Sequence, residues 1–297
     1  MKLILLASLI IALTISATAQ NKDYSVFDSN GAPTDIKSII ERFEDVDVVF
    51  LGESHDDSVG HRLQFEIFKT AVLNYGKERQ IALSLEMFER DVQPVVDEYL
   101  AGLVTEKHFL AASRPWGNYK TDYRPLVETS KDKELAVIAA NAPRRYVNMV
   151  TRLGRDSLYK LPKESRQWMA PLPYGKASKA YIQKFNALMA SFSDNAAPSN
   201  HNPIINAQSL WDATMAHSIS EFLWSAKDPL VVHLNGSFHT EKWLGIPEHL
   251  VRYKEGTKFL VVTMRYEKEF TRFNPDKHKD LGDYIVLTDA QAPRSKR

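Results

Sequence analysis

The sequence predicts a three-layer α/β domain, in which a mostly parallel central sheet carries helices on both faces and a helical cap is inserted over the sheet edge. The first observation is a series of short apolar runs, of which VVFL at 48–51 is the clearest. The second is that segments with helical spacing of apolar residues, such as 59–75, separate these runs. Short apolar strands that alternate with helices are typical of a parallel sheet buried on both faces.

The elements follow in chain order from a polar lead-in at 20–37. The predicted strands are 48–52, 81–85, 135–140, 230–234, 259–264 and 285–287. The predicted helices are 36–43, 59–75, 92–100, 123–131, 178–192 and 205–225, with one more beginning at Pro143. Residues 87–90 are expected to turn into the helix at 92–100. Five prolines interrupt 156–206, which forms the predicted helical cap, and the basic tail at 292–297 is expected to be frayed.

The composition is ordinary for a folded chain, with 44% hydrophobic and 25% charged residues among 297. The formal net charge of +1 gives no global attraction to nucleic acid, so no nucleic-acid partner is expected. The chain contains no cysteine, which excludes disulfides, thiolate metal sites and a cysteine nucleophile.

The first residues have the pattern of a secretory signal peptide. Lys2 precedes an apolar run at 3–15, and the sequence ATA at 17–19 supplies a cleavage site. We expect cleavage of 1–19, which leaves a single domain at 20–297; an uncleaved anchor is the alternative. No later run is long and apolar enough to cross a bilayer. Since no cysteine is available for lipid attachment, we expect a periplasmic or secreted protein rather than a lipoprotein.

Polar side chains follow each of the first five predicted strands. The carboxyl ends of parallel strands meet at one edge of a sheet, so these side chains can converge although they are scattered in sequence. In chain order they are Glu53 and His55, Glu86, Asn141 and Arg144, Asn235 and His239, and Arg265.

Two of these turns repeat one pattern, a glycine followed three residues later by a histidine. The first runs from Gly52 to His55 and the second from Gly236 to His239. Glycine allows a backbone turn that a Cβ would hinder. We therefore expect both histidines to be directed over the sheet edge.

Two chemistries suit this set of residues. His55, His239 and Glu86 would make a three-ligand site for a divalent metal with open positions for water. Without a metal, these groups together with Glu53 and Arg265 would supply a general base and an electrostatic clamp.

The other histidines have no such context. We expect His61, His108, His201, His249 and His278 at the surface, His217 at a helix margin and His233 in the core.

Aromatic residues are frequent in the loop at 113–125 and in the cap. They are Trp116, Tyr119, Tyr123, Trp168, Tyr174 and Tyr181. Ordinary packing is one interpretation of each; together they would line a large flat apolar pocket. Tyrosine can be an axial ligand of haem iron, and Arg114, Arg124 and Arg144 could hold haem propionates.

Six segments in order resemble the ChaN family of haem-binding uptake proteins, whose superfamily includes the Tiki/TraB proteases and the erythromycin esterases. They are VVFLGESHDD, SLEMFERD, RPWGNYKTDYRPLVE, VIAANAPRR, AQSLWDATMA and HLNGSFHT, within about 46–262. The resemblance implies an exported protein that binds haem through tyrosine, with paired haems between two subunits. Tyr119, Tyr123 and Tyr174 are the candidate ligands, and a homodimer is the expected assembly.

The wider superfamily implies a second activity. Its Tiki-like members use two such histidines and a glutamate to hold a metal for hydrolysis, and its esterases use the corresponding histidine and glutamate without metal. On this chain the positions are His55, Glu86 and His239. The sequence therefore favours an exported haem-binding protein that serves iron acquisition, with a protease- or esterase-like hydrolase as the alternative.

Overall fold

The computed structural model describes residues 23–191 and 202–296. Within these ranges the strands form one eight-stranded sheet. The strands are β1 Tyr24–Asp28, β2 Pro33–Thr34, β3 Val48–Glu53, β4 Gln80–Glu89, β5 Ala136–Asn141, β6 Pro229–Gly236, β7 Phe259–Glu267 and β8 Tyr284–Asp289. The predicted signal peptide at 1–19 lies outside the described residues.

The sheet order is β2-β1-β8-β7-β3-β6-β4-β5. All pairs from β8 to β5 are parallel, whereas β1 is antiparallel to both β2 and β8. The prediction of a mostly parallel sheet is confirmed. The two antiparallel strands lie in the segment expected to be a polar lead-in, so that interpretation of 20–37 is wrong from Tyr24 onward.

Helices connect the parallel strands. The α-helices of the described residues are α1 Ile36–Glu41, α2 Ser58–Tyr75, α3 Gln93–Leu100, α4 Glu106–Ser113, α5 Arg124–Asp132, α6 Arg144–Leu153, α7 Lys163–Arg166, α8 Lys179–Ser191, α9 Asn202–Ser225, α10 Ile246–Tyr253 and α11 Pro275–His278. Asp57 caps α2 by accepting hydrogen bonds from the N–H groups of Val59 and Gly60. No helix among the described residues is long and apolar enough to cross a membrane.

Strand β3 shows why the fold has three layers. Val49 and Leu51 pack into a core cluster with residues of α2 and α5, whereas Val48 and Phe50 pack into a second cluster with α9 and α10. Successive side chains of a strand point to opposite faces, so an all-apolar strand needs helices on both sides. The prediction of helices on both faces is confirmed.

Strand β4 is longer than the sequence suggested. It continues through Met87 and Phe88, which are buried, to Glu89. Its pairing with β5 is irregular between Leu85 and Glu89, and this bulge carries the strand past the predicted end. The expectation that 87–90 turn into a helix is therefore wrong; a 3₁₀ turn at Arg90–Val92 precedes α3.

The described part of 156–206 is partly helical. It contains α7, α8 and the first turn of α9, and residues 192–201 of it lie outside the described structure. Met169 and Tyr174 pack against Ala207 and Leu210 of α9. From α8, Lys184 Nζ donates a hydrogen bond of 2.6 Å to a carbonyl of the turn that follows β6.

Candidate functional site

The two glycine–histidine turns lie side by side. Strands β3 and β6 are parallel neighbours, with Gly52 opposite Asn235 and Glu53 opposite Gly236. The two patterns thus leave the same sheet edge from adjacent strands, as the sequence predicts. The Asn235 side chain donates to the carbonyl of Gly236 and so stabilises the second turn.

Each glycine makes room for the other turn. A Cβ at Gly52 would lie 3.0 Å from the Cα atom of Ser237, and a Cβ at Gly236 would lie 2.8 Å from the Cε1 and Nε2 atoms of His55. Both distances are shorter than an ordinary van der Waals contact. The two turns therefore interlock through their glycines.

Glu53 orients His55. The Nδ1–H group of His55 donates to Glu53 Oε1 at 2.9 Å, which leaves the lone pair of the ring on Nε2. Tyr123 donates to the same oxygen at 2.6 Å, and Gln64 donates to Oε2 at 2.8 Å. Glu53 is completely buried, and burial raises the pKa of a carboxyl. The nearby His61 and His55 and the Tyr123 hydroxyl more than offset this, so the pKa of Glu53 lies below its usual value.

His61 is buried beneath this turn. Its two ring nitrogens face oxygen acceptors, Gln64 Oε1 at 3.1 Å and the carbonyl of His55 at 3.2 Å. Burial lowers the pKa of His61. The carboxylates of Glu53 and Asp122, each 3.5 Å away, raise this pKa by more than burial lowers it, so the net pKa is above the usual value. The sequence-based expectation that His61 lies at the surface is wrong.

Asp212 of α9 orients the second histidine. His239 Nδ1–H donates to Asp212 Oδ1 at 2.5 Å. Burial lowers the pKa of His239, but Asp212 and then Glu86 raise it, so that the net pKa lies above the usual value. Asp212 was not among the sequence candidates, although it lies in one of the segments that carry the family resemblance.

Glu86 lies beside His239 and the second turn. Its Oε2 atom accepts a hydrogen bond of 2.7 Å from the N–H group of Gly236, which fixes the carboxylate against the second turn. Its Oε1 atom lies 3.8 Å from His239 Nε2. Asn141, at the end of β5, donates to the carbonyl of Glu86 at 3.0 Å. Residues from four neighbouring strands or the turns after them therefore meet at this edge of the sheet.

A cavity of about 940 Å³ opens at this edge. Its lining includes His55, Glu86, His239, Asn141, Trp116, Trp211, Arg114 and Arg144. Trp116 meets the His55 ring edge-on at 4.8 Å between centroids, and Trp211 meets His239 in the same way at 6.4 Å. Binding pockets for small molecules commonly have volumes of roughly 300 to 1,000 Å³. The cavity is large enough for a substantial ligand and is lined by two indoles and two imidazoles.

Three of the predicted cationic residues are already paired. Arg114 donates to Glu89 and Asp91 at 2.9 and 2.6 Å, and Arg124 binds Glu106 away from the cavity. Arg265 donates to Glu241 at 2.5 Å and is not part of the cavity lining.

Arg144 is less tightly paired than Arg114, Arg124 and Arg265. It lines the cavity, its side chain is 71% exposed, and its Nε atom lies 3.9 Å from Glu89.

The three candidate tyrosines are buried outside the cavity lining. Tyr119 packs between Phe88 and Phe109. Tyr123 donates to Glu53, and the Tyr174 hydroxyl donates to the carbonyl of Asn206 at 3.1 Å. Burial raises the pKa of all three, that of Tyr174 to about 12. Tyrosine ligation of haem stays a prediction.

The proposed metal site has no support. In the described ranges no group of three or more histidine, aspartate and glutamate side chains is arranged to hold a metal ion. His55, Glu86 and His239, the expected ligands, therefore do not form such a group.

Other histidines also differ from expectation. His249 and His278 are buried rather than at the surface, while His108 is exposed as predicted. His233 is a core residue as predicted, with Nδ1 2.8 Å from Ser84 Oγ; burial lowers its pKa to about 3. His201 lies outside the described residues.

Comparison with one solved structure agrees with this architecture. The solved structure titled "Cofacial heme binding to ChaN of Campylobacter jejuni" superposes with a TM-score of 0.69 at 21% identity, covering 91% of this chain and 98% of that one. A variant of the erythromycin esterase EreC in its open conformation has a TM-score of 0.46 at 12% identity, covering 85% and 78% of the two chains.

In sequence, the chloroplastic Protein RETICULATA-RELATED 5 of Arabidopsis thaliana is 24% identical over an alignment of 257 residues that covers 80% of this chain. The chain spans about a third of the length of that relative, 34%. A family model described as "Haem-binding uptake, Tiki superfamily, ChaN" matches residues 39–250, which is more than half of the chain. This chain belongs to the ChaN family of haem-binding uptake proteins.

Proposed function

We propose that the protein binds haem in the cavity at the sheet edge and serves haem or iron acquisition. The observation that carries the proposal is the lining of this cavity, in which the indoles of Trp116 and Trp211 accompany arginine side chains. Haem is a flat apolar ring with two carboxylates, and such a pocket offers both kinds of contact. Arg144, exposed and 3.9 Å from its nearest carboxylate, is the propionate-binding residue we favour.

Two kinds of side chain are candidates for the iron ligand. A tyrosine would have to lose its proton, and Tyr119, Tyr123 and Tyr174 would have to leave buried positions to reach haem. His55 already lines the cavity, and the hydrogen bond from its Nδ1–H to Glu53 leaves Nε2 with a free lone pair. Haem, when bound, would supply an iron centre, and these residues would hold it.

A haem titration of residues 20–297 followed by absorbance tests the proposal. We expect saturable binding with a Soret band, and an affinity reduced several-fold in Arg144→Met because a propionate contact is lost. Arg42→Met is the control, since Arg42 is exposed, pairs with Asp45 and does not line the cavity. Absence of saturable binding would refute the haem proposal.

The iron ligand is tested in the same experiment. His55→Ala and the triple variant Tyr119→Phe, Tyr123→Phe and Tyr174→Phe separate the two ligand types by their spectra. Tyr159→Phe is the control, because Tyr159 is half exposed. If the triple variant keeps the wild-type spectrum, direct tyrosine ligation is wrong.

Export and dimerisation are part of the proposal. The sequence at 1–19 supports cleavage before Gln20 and delivery to the periplasm or the medium. Edman sequencing of the protein recovered outside the cytoplasm should begin at Gln20. Sedimentation with and without haem should show whether two chains associate around the ligand.

A hydrolase is the second candidate, and the carboxylate partner of each histidine favours it. His55 Nε2 would take a proton from water as the general base, while His239, whose pKa is raised, would stabilise developing negative charge. Haem-free protein should then hydrolyse an ester or peptide substrate, and His55→Ala should abolish turnover. His108→Ala is the control because His108 is exposed. Equal turnover in wild type and His55→Ala would eliminate this candidate.

A further inference from the structure

Residues 293–295, which we call the C-terminal segment, are bound to the turn at 54–58 that carries His55. The N–H group of Ser295 donates to the carbonyl of Asp56 at 2.9 Å. Ser58 Oγ donates to the first carbonyl of the segment at 2.5 Å. The expectation of a frayed tail is therefore wrong for these residues.

An ion pair strengthens this backbone contact. The Arg294 guanidinium donates to both oxygens of Asp56, with 3.1 Å between Nε and Oδ2. On its other side the guanidinium stacks over the Tyr266 ring, 3.6 Å from the centroid. Arg294 and Asp57 also form an isolated antiparallel bridge. A two-pronged arginine–carboxylate contact fixes geometry as well as adding attraction.

A second route connects the segment to His55 itself. Ser295 Oγ donates to Asp122 Oδ1 at 3.0 Å, and the other oxygen of Asp122 accepts from Asn118 at 2.7 Å. The same Asn118 amide donates to the carbonyl of His55 at 3.2 Å. The segment thus contacts the turn directly and also through the loop at 118–122.

We propose that the C-terminal segment is a positioning element for His55. Glu53 sets the direction of the imidazole ring, and the segment fixes the backbone from which that ring projects. This role of the segment does not depend on which ligand the cavity takes, so it stands apart from the proposed function.

Two shortened chains test the proposal. One ends after Ala292 and lacks the segment; the other ends after Ser295 and lacks only two basic residues. We expect amide hydrogen exchange at 54–58 to rise about tenfold or more in the first chain, because charge-assisted contacts that hold the turn closed are lost. The second chain should exchange like the full-length protein.

The imidazole ¹⁵N shifts distinguish positioning from general destabilisation. In the chain that ends at Ala292, the His55 signals should move while those of His239 stay unchanged. Equal exchange at 54–58 in the two shortened chains would overturn the proposal, as would equal shift changes at both histidines.

Point variants in the full-length chain give the same answer if the shortened chain does not fold. Arg294→Ala should raise exchange at 54–58, whereas Arg294→Lys should have an intermediate effect because lysine keeps the charge but lacks the planar fork. No change in Arg294→Ala would also overturn the proposal.

Discussion

The two glycine–histidine turns share their spacing and lie on adjacent strands, yet their histidines are oriented in different ways. His55 receives its carboxylate from Glu53, two residues earlier in its own turn. His239 receives its carboxylate from Asp212, on a helix 27 residues earlier in the chain. The first is a local arrangement, and the second depends on how α9 packs against the sheet.

The hydrogen bonds around the two carboxylates, Glu53 and Asp212, also differ. Glu53 accepts from Tyr123 and Gln64 as well as His55, so a network surrounds the first carboxylate. Asp212 and His239 form a tighter pair, and His239 is the more buried of the two rings, 10% against 30% exposed. The same short motif can thus place one partly exposed imidazole and one largely buried imidazole at the same cavity.

The largest expected effect comes from Glu53→Gln. The change removes a buried charge that is bonded to several donors and lies 3.5 Å from His61, so we expect the free energy of unfolding to fall by about 3–5 kcal/mol. Urea denaturation measures it. Glu66→Gln, which alters an exposed pair with Arg62, should cost less than about 1 kcal/mol. A loss no greater than that of Asp212→Asn would contradict the contrast between the turns.

The glycines should differ as well. Gly52→Ala sets a Cβ against the backbone of Ser237, which cannot rotate away, and should lower the free energy of unfolding by about 1–3 kcal/mol. Gly236→Ala meets the His55 ring, which can move. We expect a smaller stability loss there but a displaced imidazole, visible in its ¹⁵N shifts. An undisplaced ring in Gly236→Ala would show that the turns do not interlock.

The smallest effect concerns pH. The pKa of His239 in the folded protein lies above its usual 6.5, so its stabilising contribution is present below about pH 6.5 and is lost as the pH rises through the folded-state pKa. Asp212→Asn should lower that pKa, because the nearest negative charge is removed, and should flatten this part of the stability profile. NMR titration of His239 measures the shift directly. An unchanged pKa would mean that Asp212 does not act on this histidine.

The sequence predicts local features of this molecule well. The apolar run of β3 and the glycine that follows it define a strand and a turn without help from the rest of the chain. Strand β4 could not be bounded in this way, because the polar Glu86 lies inside it beside a bulge that only the pairing with β5 reveals.

The site residues likewise fall into those that the local sequence identifies and those that depend on contacts across the fold. Glu53 and His55 are neighbours in sequence and were identified together. Asp212 and His61 were not, because an aspartate or a histidine in an amphipathic helix gives no sign of the partner it meets across the fold. Arg265 was expected at the site on the basis of its strand end, but the carboxylate of Glu241 binds it elsewhere.

The position of β6 has a consequence for how the chain folds. This strand lies between β3 and β4, although both precede it by well over a hundred residues. During synthesis β3 and β4 therefore cannot pair with each other, and each keeps an unpaired edge until β6 has been made. Such non-local pairing slows folding and leaves strand edges free to associate with other chains. A chain interrupted before 229–236 would carry His55 and Glu86 but could not bring them together.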